Sequence, residues 1–331
     1  MILLLGASGF LGNNVLRLLA SRGETVCAPV RNLSSLSDVV TEYGPGRVIA
    51  LKEDITDFSA LLSVCHKHRP EAIINCAGTT DMSLPDLSGF MKMNYELPAM
   101  LPGVMKACGI LTLVHVSTAN TIGIGSKEHP ADERSPFAAP FDAAPYAQSK
   151  KMGEDLLLKF AASRKDYHII IVNPGFMVGA FDRKPSSGTL LDTAYRKPVM
   201  AAPRGGKSFI HVRDAACAIV NALKMGESGE RYLLTGEAMT LKEFYRLQKQ
   251  CCGYFQIFFT LPDWTVRLAG RFGDFLRRHG KRSMASSVNC ELLLVEEHYD
   301  NKKAATQLKM PCTPIRVAIE DYFRFRGTIA R

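Results

Sequence analysis

Tyr146 and Lys150 are the two side chains of this sequence whose types and spacing first suggest chemistry. They lie in the segment PYAQSKKMGE, where Pro145 suits the start of a helix. Residues four apart share one face of a helix, so the phenol and the amine can reach a single site. A titratable phenol beside an amine is a candidate for proton transfer. The spacing alone also fits two solvated side chains, so the rest of the chain has to decide.

A glycine-rich turn near the start predicts a second functional feature. Gly6, Gly9 and Gly12 stand three residues apart, between an apolar strand, MILLL, and a helical pattern, NNVLRLLASRG. Such a turn lets the backbone approach a pyrophosphate closely and aims a helix N-terminus at its charge. The strand before and the helix after give the motif its required context. We therefore expect a dinucleotide site that also includes Ser8, Phe10 and Leu11.

The end of the second predicted strand, TVCAPV, bears on which dinucleotide binds. Many NAD-binding folds carry an acidic residue about 20 positions after the glycines, to hold the ribose 2′-hydroxyl. Here Arg31 and Asn32 follow the strand, and no acidic residue occurs before Asp38. A guanidinium suits a 2′-phosphate. This predicts a preference for NADP(H), with NAD(H) possible if Arg31 only faces solvent.

The elements that must position these residues follow a regular alternation. Short apolar runs alternate with helix-length segments through HIIIVNP at 168–174, which predicts βαβ units and a doubly wound parallel sheet of Rossmann type. After Pro174 the pattern loosens. We expect an NAD(P)-binding domain over 1–173 and a smaller lobe, mainly substrate-binding, over 174–331, with parts of the chain returning to the sheet.

Composition narrows the class of protein. The 331 residues are 47% apolar, enough for a large packed core, and carry a formal net charge of +9. The charges are scattered and not interleaved with aromatic residues, which favours an anionic small ligand over nucleic acid. Nine cysteines without a CxxC pair and without a secretory leader indicate a reducing, cytoplasmic setting. The CHKHRP run lacks a second ligand pair, so no metal site is expected.

The segment LPDWTVRLAGRFGDFLRRHGKR is amphipathic and basic, a composition compatible with a membrane surface. Gly270 and Gly273 interrupt the helical pattern, and Asp263 and Asp274 dilute its charge. We therefore expect this segment to pack against the smaller lobe and do not expect it to contact a membrane.

Together, motifs along nearly the whole chain resemble the extended short-chain dehydrogenase/reductases. Within that superfamily the chain is similar to the NAD-dependent epimerase/dehydratase and dihydroflavonol 4-reductase-like group. The motifs that carry this resemblance are GASGFLG, NCAGTT, MKMNYELP, HVSTANTIG, YAQSK, NPGFMVG, FIHVRDAACAI, GERYLLTGEAMTLKEF and HYDNKKAATQLKM.

The resemblance implies a role for each residue of the predicted active site. Tyr146 would be the acid/base, and Lys150 would contact the nicotinamide ribose while its ammonium lowers the tyrosine pKa. Thr118 would hold the substrate oxygen, although Ser117, one residue earlier, is the alternative. Asn94 would support the active-site helix and hold a water in a proton relay.

The resemblance also assigns cofactor contacts along the carboxyl edge of the sheet. The positions it implies are Asp54, Ile55, Ala77, Gly78, Thr79, Ser117, Asn173, Pro174, Gly175 and Phe176. Asn173 stands where many relatives carry arginine, which leaves the role of its side chain open. His211 and Asp214 are expected to organise the smaller lobe.

Three functions fit the resemblance, and the sequence favours the first. It is reduction of a ketone or aldehyde, or oxidation of the alcohol, by hydride transfer. Epimerisation of a nucleotide sugar is the alternative, and a non-catalytic NADP-binding regulator is a third. Ala119 and Asn120 replace the acidic pair of sugar dehydratases. The loop VGAFDRKPSSG resembles the reductases more than the epimerases.

Two expectations concern the substrate and the partner of this chain. An apolar or aromatic substrate is suggested by the residues Met82, Phe137, Phe141, Phe176, Met177 and Phe181. The resemblance implies a homodimer through a four-helix bundle, and we expect a second hydrophobic stripe to build it, formed by Met100, Leu101, Val104 and Met105.

Overall fold

The computed structural model describes residues 1–184 and 187–328. Its large sheet has seven strands, all of them parallel. Its strands, in the spatial order β10-β6-β5-β4-β1-β2-β3, are Arg231–Leu234, His168–Pro174, Thr112–Val116, Ala72–Asn75, Ile2–Leu5, Val26–Val30 and Val48–Lys52. Strands β2 and β3 extend the sheet on one side of β1. The chain then crosses over and places β4 on the other side of β1. This arrangement confirms the predicted doubly wound sheet and opens a crevice at the carboxyl ends of β1 and β4.

Alternation along the strands shows why these apolar runs are strands. In β1, Leu4 points into one core and Leu3 and Leu5 into the other, and all three are fully buried. Successive side chains of a strand point to opposite faces, so a strand buried on both faces must be apolar throughout. Helices cover both faces, and the cores lie between them and the sheet.

The helices carry the labels α1 to α13 in chain order. Their bounds are Phe10–Ser21, Ser37–Tyr43, Phe58–His68, Ser88–Met91, Leu97–Cys108, Pro145–Ser163, Gly188–Ala194, Val212–Met225, Leu241–Cys252, Asp263–Arg278, Ser287–Leu292, Lys302–Gln307 and Ile315–Phe325.

A π-helical turn, Lys92–Glu96, joins α4 to α5 and contains Asn94. Pro98 has no N–H to give to the carbonyl of Asn94, as the next α-helical bond would require. The proline thus explains why the helix is not regular at this point.

The smaller lobe contains the remaining five strands. Phe176–Val178 (β7), Gly206–His211 (β9) and Glu237–Thr240 (β11) form one sheet, and Val199–Ala202 (β8) and Ile257–Thr260 (β12) form another. The chain returns to the large sheet with β10, after the predicted boundary at Pro174. Residues 185 and 186 of the loop predicted to favour a reductase lie outside the described residues.

The apolar stripe that we assigned to a dimer interface lies inside the protein. Leu101, Val104 and Met105 are fully buried in the core on one face of the large sheet, and Met100 is partly buried against it. The prediction of this stripe as an interface is therefore wrong, because these side chains already pack against β1, β4 and α3 of their own chain.

The amphipathic segment forms a helix, α10, and packs against the smaller lobe, as expected. Its glycine-containing face packs on α11, with Gly270 and Gly273 buried, whereas Trp264 and Phe272 face outward. Among residues 1–184 and 187–328, no helix is long and apolar enough to cross a membrane.

Candidate active site

The glycine turn after β1 has the geometry of a pyrophosphate cradle. Gly6 has a φ of +80°, and a β-carbon at Gly12 would lie 2.1 Å from the carbonyl oxygen of Gly6. A side chain at Gly12 would prevent the turn from packing against α1, and one at Gly6 would collide with the backbone of Ala77 in the loop after β4. Helix α1 has no side-chain cap and no acidic residue in its first turn. Its free N–H groups and positive dipole end suit a phosphate group.

Thr118 and Tyr146 meet at the carboxyl edge of the sheet. The side chain of Thr118, just after β5, lies near the phenol of Tyr146 in the first turn of α6 and lowers the pKa of that phenol. The Thr118 hydroxyl accepts a bond from the backbone N–H of Asn120 at 3.3 Å. Strand alternation predicts the opposite direction for Ser117, and its hydroxyl is buried without a partner among the described residues.

Lys150 lies below this pair and is almost completely buried. Its Nζ donates to the carbonyl oxygen of Val116 at 3.0 Å, and a β-carbon at Gly78 would lie only 2.8 Å from that nitrogen. Burial lowers the pKa of Lys150 from 10.5 to about 8, although Cys76 and Glu154 act in the opposite direction. The ammonium is thus confined between the end of β5 and the loop after β4.

The acidity of Tyr146 is set by burial and not by Lys150. Burial raises the pKa of Tyr146 above 10, and the side chain of Thr118 offsets only part of that rise. The expectation of a lowered tyrosine pKa is therefore wrong for this geometry. Tyr146 is a protonated phenol at neutral pH, which makes it a proton donor.

Asn94 holds the loop after β4 in place. Its Oδ1 accepts from the backbone N–H of Thr79 at 2.8 Å, and its Nδ2 donates to the carbonyl of Thr79 and to Ser149 Oγ, each at 3.0 Å. The side chain is fully buried. Asn94, predicted as catalytic, is therefore better described as a positioning residue that joins the Gly78–Thr79 loop to α6.

A buried polar network behind Thr118 was missed from the sequence. Glu154, one turn after Lys150, is fully buried and accepts from Thr121 Oγ1 and Asn173 Nδ2, each at 2.8 Å, and pairs with Arg231 at 3.3 Å. The Nδ2 of Asn173 also lies 3.2 Å from the carbonyl of Thr118. The network fixes the turn that carries Thr118.

This network also includes Asn173, whose side-chain role the sequence left open. Its side chain is fully buried, and its donor atom is committed to Glu154 and the Thr118 turn. Its Oδ1 is buried without a partner among the described residues, so a cofactor contact by Asn173 stays a prediction, while its Nδ2 helps to position the Thr118 turn. The one feature of the sequence that could have indicated this network is Glu154, a carboxylate one helical turn after Lys150 in the YAQSKKMGE segment.

Comparisons with known proteins place this site in a family. The model of the NAD dependent epimerase/dehydratase family matches residues 2–235. The chain belongs to this family. It is 28% identical to the sterol demethylase protein B of Methylococcus capsulatus (strain ATCC 33009 / NCIMB 11132 / Bath), over 99% of each chain. It is 26% identical to a putative dihydroflavonol 4-reductase of Synechocystis sp. (strain ATCC 27184 / PCC 6803 / Kazusa), over 96% of this chain and 91% of that protein.

The fold comparison agrees with the family. The crystal structure of gox2253 is 25% identical and superposes with a TM-score of 0.81, covering 100% of this chain and 99% of that one. The protein is therefore an NAD(P)-dependent oxidoreductase of the extended short-chain dehydrogenase/reductase type.

The predicted adenine side of the family's cofactor site lies on exposed loops. Arg31 directly follows β2 and is exposed, and the side chain of Asn32 accepts from the backbone N–H of Ser34 at 3.0 Å. In the loop after β3, Asp54 accepts from Thr56, which lowers the Asp54 pKa. Ile55, next to it, is half-buried. Arg31, Asp54 and Ile55 thus all follow the carboxyl ends of β2 and β3.

The predicted nicotinamide side lies at the ends of β4 and β6. Ala77 is buried and its N–H donates to Asn75. Pro174 ends β6, and Gly175 lies so close to β9 that a β-carbon there would be 2.6 Å from the carbonyl of Ser208. Phe176, half-buried, packs edge-on against Phe209.

The apolar residues suggested for the substrate site separate into two groups. Phe141 is fully buried in a cluster with Ala144, Ala147 and Leu292, and Met82 and Phe137 pack against it. This cluster flanks Tyr146 along the chain. The second group is elsewhere: Met177 packs on the core of the large sheet, and Phe181 lies under the guanidinium of Arg17.

His211 and Asp214 hold the smaller lobe together, as expected. His211 Nε2 lies 3.1 Å from Asp321 on α13, and Asp214 accepts from the backbone N–H and the hydroxyl of Thr313. These bonds join α8 to the C-terminal segment.

Proposed function

We propose that this protein reduces a ketone or aldehyde by hydride transfer from NADP(H), with Tyr146 as the proton donor. The observation that carries the proposal is the pair of neighbouring hydroxyls, Thr118 and Tyr146, at the same edge of the sheet as the buried side chain of Lys150. Two neighbouring O–H groups can both donate hydrogen bonds to one carbonyl oxygen. Because burial keeps the Tyr146 phenol protonated at neutral pH, it suits reduction of a carbonyl.

Each residue has a separate task in this proposal. When bound, the nicotinamide supplies the hydride. Thr118 Oγ1 accepts from Asn120, so its own proton is available to the substrate oxygen. Tyr146 gives the proton that completes the alcohol. Lys150, held by Val116, presents its ammonium beside Gly78, where it would meet the ribose of a bound cofactor.

The preference for NADP(H) is supported by the charges around β2. Arg31 is exposed at the end of the strand, and its closest downstream carboxylate, Asp38, is already paired with Arg17 and Arg183. This arrangement leaves a cation, and no free carboxylate from that segment, to meet the 2′ position of the ribose.

An apolar, ring-containing substrate is supported by the wall beside Tyr146. Met82, Phe137 and Phe141 pack there with Leu292 from the lobe. The name of the relative from Methylococcus, a sterol demethylase protein, points to the same class of apolar polycyclic compounds.

Two further proposals concern assembly and compartment. We place the protein in the cytoplasm, since its nine cysteines are all free thiols, as a reducing compartment favours. A homodimer is supported by partly exposed apolar side chains near the outer faces of α3 and α6, Phe58 and Met152.

The test of the reaction is consumption of NADPH with a panel of apolar ketones and aldehydes, including steroid ketones, and with nucleotide sugars as a separate arm. Oxidation of NADPH with an apolar ketone, lost in Tyr146→Phe, is the expected result. Interconversion of a nucleotide sugar without net oxidation of the cofactor would instead assign the protein to the epimerases. Cofactor binding without any turnover in either arm would favour a regulatory protein.

A further inference from the structure

The outward face of α10 is an apolar stripe that the fold leaves exposed. Its members, here called the α10 stripe, are Trp264 (67% exposed), Leu268 (57%), Phe272 (61%) and Phe275 (54%). They recur at i, i+4, i+8 and i+11, which is one side of a helix. The stripe extends over about 16 Å at 1.5 Å per residue. Single exposed apolar residues are normal, whereas a continuous aromatic stripe marks an interaction site.

The opposite face of α10 fixes this orientation. Val266, Gly270 and Gly273 are buried there. A β-carbon at Gly273 would lie 2.1 Å from the carbonyl oxygen of Ala285, and one at Gly270 would lie 2.9 Å from Ser287 Cα. The glycines are therefore contact points that let α10 pack closely on the following segment, and rotating the helix to bury its aromatic residues would create steric clashes.

Basic side chains border the α10 stripe along one flank. Arg267, Arg271 and Arg278 are exposed and recur at i, i+4 and i+11 beside it. Arg267 pairs with Glu291, whereas Arg271 and Arg278 have no ion pair among the residues that the structure describes. Between 263 and 282 there are six basic and two acidic residues. The flank is complementary to an anionic surface.

We propose that α10 is a membrane-docking helix, with the α10 stripe in the interface of an anionic phospholipid bilayer and the arginine flank on its headgroups. A helix with exposed Trp, Leu and Phe on one face and arginines beside them has the composition of interfacial helices. Tryptophan in particular prefers the boundary between headgroups and acyl chains. The helix lies in the plane of the membrane surface and does not cross it. This inference does not depend on the proposed reaction.

The docked helix lies beside the candidate active site. Asp274 and Arg277 of α10 border a cavity of about 260 Å³ that is also lined by Pro145, the residue before Tyr146. Arg277 of α10 donates to the backbone carbonyl of Met82 at 2.7 Å, which joins α10 to the apolar wall of the site. A membrane that contacts α10 is thus next to the wall where an apolar substrate would bind.

Trp264 is the only tryptophan of the chain, so intrinsic fluorescence reports on the α10 stripe alone. The experiment mixes the full-length, cofactor-free protein with vesicles of phosphatidylcholine alone or with added phosphatidylglycerol, and measures co-sedimentation and tryptophan emission. We expect sedimentation with the anionic vesicles, weakened by salt, and an emission shift to shorter wavelength.

Substitutions test the two parts of the surface separately. Phe272→Asp should reduce partitioning at least tenfold, and the double substitution Arg271→Gln/Arg278→Gln should weaken binding to anionic vesicles and reduce its salt dependence. The matched controls are Leu111→Asp, an exposed leucine before β5, and Lys165→Gln, an exposed lysine after α6. Both should bind as the unmodified protein does. Circular dichroism and cofactor binding verify that each variant is folded.

Two results would overturn the proposal. One is that the unmodified protein stays in the supernatant with unchanged emission at every lipid composition. The other is that emission shifts with protein concentration in the absence of lipid and that Phe272→Asp abolishes self-association, because the stripe would then be an interface with a second copy of the chain.

Discussion

The Nζ of Lys150 donates to the carbonyl oxygen of Val116 at 3.0 Å, so the cation of the site is held by the strand that also delivers Thr118. The bond joins α6 to β5 at the level of the Tyr146–Thr118 pair. One backbone contact therefore fixes the distance between the helix that supplies the phenol and the strand that supplies the second hydroxyl.

The first prediction is that cofactor affinity falls as pH rises through about 8. Burial lowers the pKa of Lys150 to about 8, so the side chain is an ammonium below that pH and a neutral amine above it. An anionic cofactor binds better to the charged form. Calorimetric titration of NADP⁺ between pH 6 and pH 10 checks this. Above pH 8 the affinity should fall by at most about tenfold per pH unit, because one proton is involved.

The control is Lys150→Met, which should bind the cofactor weakly and lose the pH dependence. A wild-type affinity that stays constant across pH 8 would contradict the assignment.

The second prediction distinguishes the catalytic role of Thr118 from that of Ser117, the hydroxyl residue next to it in the sequence. Tyr146→Phe and Thr118→Val should each lower kcat by about 10²–10⁴-fold and leave the Kd for the cofactor nearly unchanged, because only a proton donor is lost. Ser117→Ala should affect the rate far less, since strand alternation predicts that the Ser117 hydroxyl faces away from Tyr146. A Ser117→Ala variant as inactive as Thr118→Val would show that the register of the strand end is wrong.

Local patterns were sufficient to predict much of this site. The spacing of Tyr146 and Lys150 fixes their common helix face, and the glycines at 6, 9 and 12 require a tight turn, so both were visible in short stretches of sequence. The Glu154 network was not, because its ion pair joins residues 77 positions apart and no periodicity signals such a contact.

The third prediction concerns that ion pair. Arg231→Met leaves the fully buried carboxylate of Glu154 without its cationic partner and should cost about 3–5 kcal/mol of unfolding free energy. The double variant Arg231→Met/Glu154→Gln removes the uncompensated charge and should recover part of that loss. Chemical denaturation of both variants measures the difference. Equal stabilities of the single and double variants would show that the pair is not coupled.

The apolar pattern of α5 and α10 shows what periodicity cannot decide. Both helices have apolar stripes, but the stripe of α5 is buried in the chain and that of α10 faces outward. In α10, the contacts that determine the buried face are made by Gly270 and Gly273. In the sequence these glycines look like interruptions of a helix. Which side of a helix faces the protein depends on the neighbouring element and not on the helix itself.

The fourth prediction distinguishes core from interface in the proposed homodimer. Leu101→Ala removes a fully buried side chain and should lower the unfolding free energy by about 2–5 kcal/mol without changing the oligomeric state. Met152→Asp alters a partly exposed residue of α6 and should shift a dimer towards monomer with little change in stability. Light scattering at micromolar concentration gives the mass of each, and a monomeric wild-type protein would refute the dimer.

The last prediction is that Arg31 selects the cofactor. Arg31 is exposed directly after β2, and Asp38 is held by Arg17 and Arg183, so we expect the 2′ position of a bound cofactor to meet a guanidinium. One charge-assisted hydrogen bond contributes about 1.5–3 kcal/mol, which corresponds to a preference for NADP(H) over NAD(H) of roughly tenfold or more. Arg31→Asp should reverse the preference, because a carboxylate repels the phosphate and accepts a hydrogen bond from a free hydroxyl.

The matched control is Arg134→Asp. Arg134 is an exposed arginine near the opposite edge of the sheet, so this variant should leave the ratio of the NADP(H) and NAD(H) affinities unchanged. Calorimetry with both cofactors measures the four affinities that decide the question, and equal affinities in the unmodified protein would show that Arg31 does not contact the phosphate.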